Sequence, residues 1–160
     1  MSCRTGNRSS HFTGVPEYIC AMSKGPEVII IDDDRCTLEI NKLVVKSVLP
    51  AAEIRGFLSA RAALEYLRNI DADGFVTGSE KSIIISDLHM PVVDGFQFLD
   101  EFSLLLPAVR NRYVIFVLSA DARVADAKLL IHKPNLAGFF SKPLSVFKFV
   151  TLLRKVGYGV

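Results

Sequence analysis

The chain has 160 residues, half of them hydrophobic, and a formal net charge of +2. That length points to one domain with enough apolar material for a sizeable core. The near-neutral balance argues against a nucleic-acid-binding surface, and no apolar run approaches the length of a membrane span. Cys3, Cys20 and Cys36 show no metal-ligand spacing and leave one thiol over in any pairing, which fits a reduced, cytoplasmic compartment. His11, His89 and His132 are scattered and form no histidine metal cluster.

Residues 1–26 are polar, contain three glycines and two prolines, and show no period. They read as a disordered N-terminal tail without the apolar core of a secretory signal. Met22 is a second candidate start. The domain proper is expected over residues 27–157, and nothing after it reads as an output domain.

Residues 28–31 form the first predicted strand and run straight into Asp32, Asp33 and Asp34. Leu38, Ile40, Leu43, Val44 and Val48 then give an approximately helical apolar face up to Pro50. Residues 53–57 are a short second strand, and residues 60–70 a second helix with Ala63, Leu64 and Leu67 on one side. Residues 71–81 read as a loop long enough to be an insertion. Residues 82–85 are an apolar, β-branched run, stopped by Ser86-Asp87. A carboxylate at the tip of a buried strand is costly unless something there uses or solvates its charge. Met90-Pro91 forces a turn, and Asp94-Gly95 opens a helix over 95–106 that Pro107 is expected to end. Residues 113–118 are the fourth strand, stopped by Ser119-Ala120. Residues 121–131 are a weaker fourth helix. Phe139-Phe140 marks a fifth strand, followed by Ser141-Lys142-Pro143. Residues 146–156 are the last helix, with Phe147, Val150, Leu153 and Val156 as its expected apolar face.

Apolar strands alternating with amphipathic helices imply a parallel sheet covered on both faces. Right-handed crossovers leave few topologies, one of which is the doubly wound, flavodoxin-like (βα)5 order 2-1-3-4-5. In that order strands one and three are neighbours, and Asp32, Asp33 and Asp87 meet at their carboxyl ends. Four polar signals, Asp32-Asp33, Asp87, Ser119 and Lys142, then share one edge of the sheet. Clustered carboxylates repel one another and raise their pKa values unless a cation is present. Oxygen-only ligands suit Mg²⁺. A hydroxyl and an ammonium opposite it are the parts needed to hold a transferring phosphoryl group, with a carboxylate as nucleophile.

Singly, these residues have plainer explanations. The aspartate run could start a helix, Ser119 could be a turn residue, Lys142 a solvated lysine, and Phe139 plain core. Their joint order outweighs those explanations. The segments VIIIDDD, SDLHMPVVDGF, FVLSA and GFFSKPL resemble a receiver domain of a two-component response regulator, in that family's order, over nearly all of the chain outside the tail. The match is nearest to stand-alone receivers of Bacteroidetes, which pair an IDDD opening and Ile40-Asn41-Lys42 with a SKPL ending.

The resemblance implies roles residue by residue. Asp87 is the phosphoacceptor and one of the metal ligands. Asp33 is a direct Mg²⁺ ligand, Asp32 a direct or water-mediated one, and the His89 backbone carbonyl a third. Ser119 and Lys142 bind phosphoryl oxygens, and Pro143 is expected to be cis. Ser119 and Phe139 form the switch pair, and His89 and Asp121 tune hydrolysis. The implied partners are a histidine kinase or histidine phosphotransfer protein and a downstream protein target. The face made by the fourth helix, fifth strand and fifth helix is also a route to a homodimer. Two departures stand out: a long stretch between Asp33 and Asp87, and Lys133-Pro134-Asn135 where relatives carry an Ala-Gly turn. The competing readings are a pseudo-receiver that binds without phosphate and a phosphatase of the haloacid dehalogenase type. The second needs a carboxylate two residues after the nucleophile, where this chain has His89. Dinucleotide binding is disfavoured, because no Gly-rich loop follows the first strand.

Overall fold

The computed structural model describes residues 25–70, 81–120, 133 and 135–160. The chain runs β1 (Glu27–Ile31), α1 (Arg35–Val48), β2 (Glu53–Phe57), α2 (Ala60–Arg68), β3 (Ser82–Asp87), α3 (Gly95–Ser103), a short α4 (Pro107–Arg110), β4 (Tyr113–Ser119), β5 (Leu136–Ser141) and α5 (Val146–Lys155). The five strands form one parallel sheet in the order β2-β1-β3-β4-β5. This is the doubly wound order expected from the sequence. The expected insertion at 71–80, fourth helix at 121–131 and most of the N-terminal tail lie outside the described residues.

Alternation along the strands makes two cores. Ile29, Ile31, Ile84, Ile115 and Val117 face α2 and α3, where Leu64, Leu67, Phe98 and Phe102 cover them. Val28, Ile30, Ile83, Ile85 and Phe116 face the other way, onto Leu38 and Val45 of α1 and Phe149, Leu152 and Leu153 of α5. Each fully buried isoleucine or phenylalanine contributes about 1.5–3 kcal/mol. Both faces of β1, β3 and β4 are buried, which is why their sequences are apolar runs rather than alternating ones. Among the described residues no helix is long and apolar enough to cross a membrane.

Three local expectations need correction. In α1 the buried positions are Leu38, Asn41 and Val45, whereas Ile40 and Leu43 are 55% and 71% exposed. The stripe follows the helical period through a polar residue; the expected Leu38, Val44 and Val48 do pack on the core, whereas Ile40 and Leu43 point away from it. In α5 the buried residues are Phe149, Leu152 and Leu153, with Val156 packed beside them, and Phe147 is 80% exposed. Pro107 does not end α3. That helix stops at Ser103, and Pro107 opens α4 at its first position, where a missing N–H costs nothing.

Candidate functional site

The site lies at the carboxyl ends of the strands. As β1 ends, Asp32 stays in the sheet by donating its N–H to the Phe57 carbonyl at 3.1 Å. Its side chain is 1% exposed. One carboxylate oxygen accepts from the Asp34 N–H at 3.0 Å and the other from Lys142 Nζ at 2.7 Å. Asp33 is exposed. Asp34 caps α1 by accepting from the Thr37 N–H at 2.6 Å, and that bond holds its carboxyl below the usual value.

Asp87 ends β3 and is 6% exposed. Its Oδ1 accepts from the His89 N–H at 3.2 Å and its Oδ2 from Lys142 Nζ at 2.7 Å. The loop behind it is tightly drawn. The Gly95 N–H donates to the Leu88 carbonyl at 2.8 Å, and a Cβ on Gly95 would meet Asp87 O and Leu88 Cα at 2.8 Å. Only glycine lets α3 approach the end of β3 this closely. A capping box between Asp94 and Gln97 starts α3 at that point, and Asp-x-x-Gln is its signal in the sequence. Val92, in the same loop, is held at φ 69°, which is costly for a β-branched residue.

Ser119 ends β4, is fully buried, and aligns with Ser141 of β5. Its carbonyl accepts from the Lys142 N–H at 2.7 Å. This bond brings the β5–α5 turn back to the centre of the sheet. The Lys142–Pro143 peptide is cis, as the family resemblance implied. On the far side of the turn Lys148 Nζ donates to Ser141 O at 2.7 Å, Ser141 Oγ at 3.2 Å and Pro143 O at 3.0 Å. Lys148 is not among the residues that the sequence motifs mark.

Asp32, Asp33 and Asp87 each offer a carboxylate oxygen, and these oxygens lie within 4.8 Å of one another. The set is all-oxygen and partly open to solvent through Asp33, which suits a hard divalent cation such as Mg²⁺. Burial is the largest influence on Asp32 and pushes its carboxyl above the usual aspartate value. The Lys142 ammonium and the Asp34 amide oppose that rise without reversing it, and the Asp87 charge adds to it. Desolvation therefore leads, and repulsion between carboxylates, the cause expected from sequence, comes after it. Burial also works against the charge on Lys142, but its hydrogen bonds to Asp32 and Asp87 outweigh it and hold the ammonium above the usual lysine value.

The structure thus brings together Asp32, Asp33, Asp87 and Lys142, with Ser119 joined to Lys142 through the backbone. His89 is exposed and touches Asp87 through its N–H. Phe139, two residues before Ser141 on β5, is half-buried against the core beneath α2 and α3. Asp121 lies outside the described residues.

No family model matches the sequence, and no curated protein matches it. Solved structures do. A response regulator receiver protein from Dyadobacter fermentans is 31% identical at a TM-score of 0.70, with 82% of this chain and 97% of that one covered. A two-component response regulator from Cytophaga hutchinsonii is 26% identical at a TM-score of 0.72, over 84% of this chain and 98% of that one. At 18% identity and a TM-score of 0.64, the fold is also shared by the receiver domain of a Pseudomonas aeruginosa sensor histidine kinase, over 84% of this chain and 99% of that one. That domain carries a magnesium ion coordinated in its active site cleft.

Proposed function

Because the chain belongs to the family of response regulator receiver domains, we propose that it is a Mg²⁺-dependent phosphoacceptor that switches a protein-binding surface. The observation that carries this reading is the shared Lys142 ammonium, 2.7 Å from both Asp32 and Asp87 at the carboxyl edge of the sheet. An Asp87 carboxylate oxygen attacks phosphorus, a new O–P bond forms, and the P–N bond of a donor phosphohistidine breaks with its electron pair going to the imidazole. The donor is a histidine kinase or a histidine phosphotransfer protein. Asp32, Asp33, Asp87 and the His89 carbonyl would hold Mg²⁺, which when bound neutralises charge on the phosphoryl oxygens. Lys142 would pair with one phosphoryl oxygen, and the Ser119 hydroxyl would donate to another.

The protein takes part in the transfer as acceptor rather than as an enzyme turning over a separate substrate. At most it phosphorylates itself from small donors and hydrolyses its own acyl phosphate. Asp121 and His89 tune that hydrolysis. An exposed, free Cys36 suits a reducing, cytoplasmic setting.

Phosphorylation adds charge and acceptor oxygens beside Ser119. Drawing Ser119 inward shifts the end of β4 and opens room for Phe139, half-buried now, to bury its ring fully. A downstream protein reads the altered surface around β5 and α5, which is also a route to a homodimer. Titration with Mg²⁺ and beryllofluoride, followed by NMR, tests this. The expected result is shifts at Asp33, Asp87, Ser119, Phe139 and Lys142. A protein that binds neither is a phosphate-independent interaction module, and the reading fails.

A further inference from the structure

We propose that Lys148 is a positioning residue for Lys142, a role that rests on the phosphoacceptor reading above only for its consequence in phosphoryl binding. A lysine ammonium has three N–H donors. Lys148 has three acceptors within reach: Ser141 O at 2.7 Å, Pro143 O at 3.0 Å and Ser141 Oγ at 3.2 Å. Those acceptors belong to the two residues that flank Lys142. The Lys142 N–H is itself tied to the Ser119 carbonyl at 2.7 Å. The turn carrying Lys142 is therefore anchored to β4 on one side and to α5 on the other. Its ammonium is left reaching Asp32 and Asp87, both at 2.7 Å.

The place of Lys148 in its helix supports a local role. Ser145 caps α5 by accepting from the Lys148 N–H at 3.3 Å, so Lys148 stands in the first helical turn. A cation there runs against the helix macrodipole, whereas Arg154 and Lys155 in the last turn run with it. The misplaced charge is accommodated because it binds carbonyl oxygens outside the helix. Charge-assisted bonds to carbonyls are among the stronger hydrogen bonds available to the chain. Without them the turn keeps its link to Ser119 but loses its brace from α5, and the long Lys142 side chain is no longer aimed by a fixed backbone.

The test has two arms. In the first, ¹⁵N-lysine-labelled protein is examined by NMR without metal or phosphoryl analogue. The Lys142 ammonium, bound to two carboxylates, gives a slowly exchanging signal, identified by its absence in Lys142→Met. Lys148→Met should remove or broaden that signal while the amide spectrum of β1 and β3 is kept. An unaltered Lys142 signal overturns the proposal. In the second arm beryllofluoride affinity is measured at saturating Mg²⁺. Lys148→Met should weaken it about tenfold in the otherwise native chain and hardly at all when Lys142 is already methionine, the signature of one residue acting through another. Equal losses in both backgrounds overturn the proposal. Loss of the Lys142 signal in Lys148→Met, together with no beryllofluoride binding by the native protein, refutes the phosphoacceptor reading and leaves the positioning role intact. If Lys148→Met does not fold, Lys148→Gln is read by the same criteria.

Discussion

The two ends of β1 each carry a buried carboxylate, and the two are treated in opposite ways. At the amino end Glu27 is 6% exposed and surrounded by donors. It accepts from Arg55 Nε at 2.9 Å, from the Tyr66 hydroxyl at 2.5 Å and from the Tyr113 hydroxyl, with the Arg112 guanidinium 3.7 Å away. At the carboxyl end Asp32 and Asp87 share one ammonium, Lys142, and the exposed Asp33 adds a third carboxylate beside them. A buried carboxylate with its acceptor capacity filled is structure. Three clustered carboxylates, only two of them paired to the one ammonium, have capacity left for another cation and for a group that brings its own charge. The same strand, E-VIII-D, thus pins the sheet at one end and offers a site at the other.

The comparison breaks most directly at Glu27. Glu27→Ala takes the acceptor from two phenols, while Arg55 keeps Glu53 and Arg112 keeps Ser82; leaving the phenols without their acceptor costs about 1–3 kcal/mol each. Urea unfolding should show that loss while Mg²⁺ affinity is unchanged. A near-neutral result would mean that the amino end does not anchor the sheet.

A smaller effect is expected from Tyr66, whose hydroxyl is pushed up to about 12, first by burial and then by its bond to the Glu27 carboxylate. Tyr113 is raised by the same two causes. A raised folded-state value means the neutral phenol is favoured on folding. That stability is complete below the ordinary tyrosine value and is lost as pH rises through about 12 for Tyr66. Tyr66→Phe should cost about 1.5 kcal/mol at neutral pH, the low end for a hydrogen bond to a charged group. It should also blunt the alkaline fall in melting temperature. The same alkaline fall in the variant would remove Tyr66 as its source.

At the opposite end the pH dependence has the same sign, but the effect expected of a substitution at neutral pH reverses. The Asp32 carboxyl is raised above its ordinary 3.8, so its ionised form opposes folding. That cost is absent below the ordinary value and full above the folded one. In metal-free buffer Asp32→Asn should therefore raise the melting temperature at neutral pH, by about 2–4 °C for each ~1 kcal/mol of relief in a chain of this size. The gain should shrink as pH falls through the folded value. Destabilisation at neutral pH would show that the Lys142 pairing outweighs burial, and the contrast between the two ends would weaken.

The carboxyl end was legible in the sequence and the amino end was not. Asp32, Asp87, Ser119 and Lys142 each stand at or just beyond the end of an apolar run, so strand order alone brings them to one edge. Glu27 precedes its run, and its tyrosine partners lie 39 and 86 residues away with nothing local to mark them. On α1 and α5 the expected Leu38, Val44, Val48, Leu153 and Val156 do pack on the core, but buried Asn41 is masked by its polarity, and exposed Ile40, Leu43 and Phe147 imitate core positions. Lys148 could have been noticed as a cation in a first helical turn. Its acceptors, however, become visible only once the turn at Lys142–Pro143 is in place.

The most direct measurement is to incubate the protein with a small phosphodonor and Mg²⁺, reduce the product with borohydride, and map the modified residue by tandem mass spectrometry. A single acyl phosphate on Asp87 is expected, absent in EDTA and in Asp87→Asn. Modification at any other carboxylate, or none at all with Mg²⁺ bound, would contradict the assignment of Asp87 as phosphoacceptor.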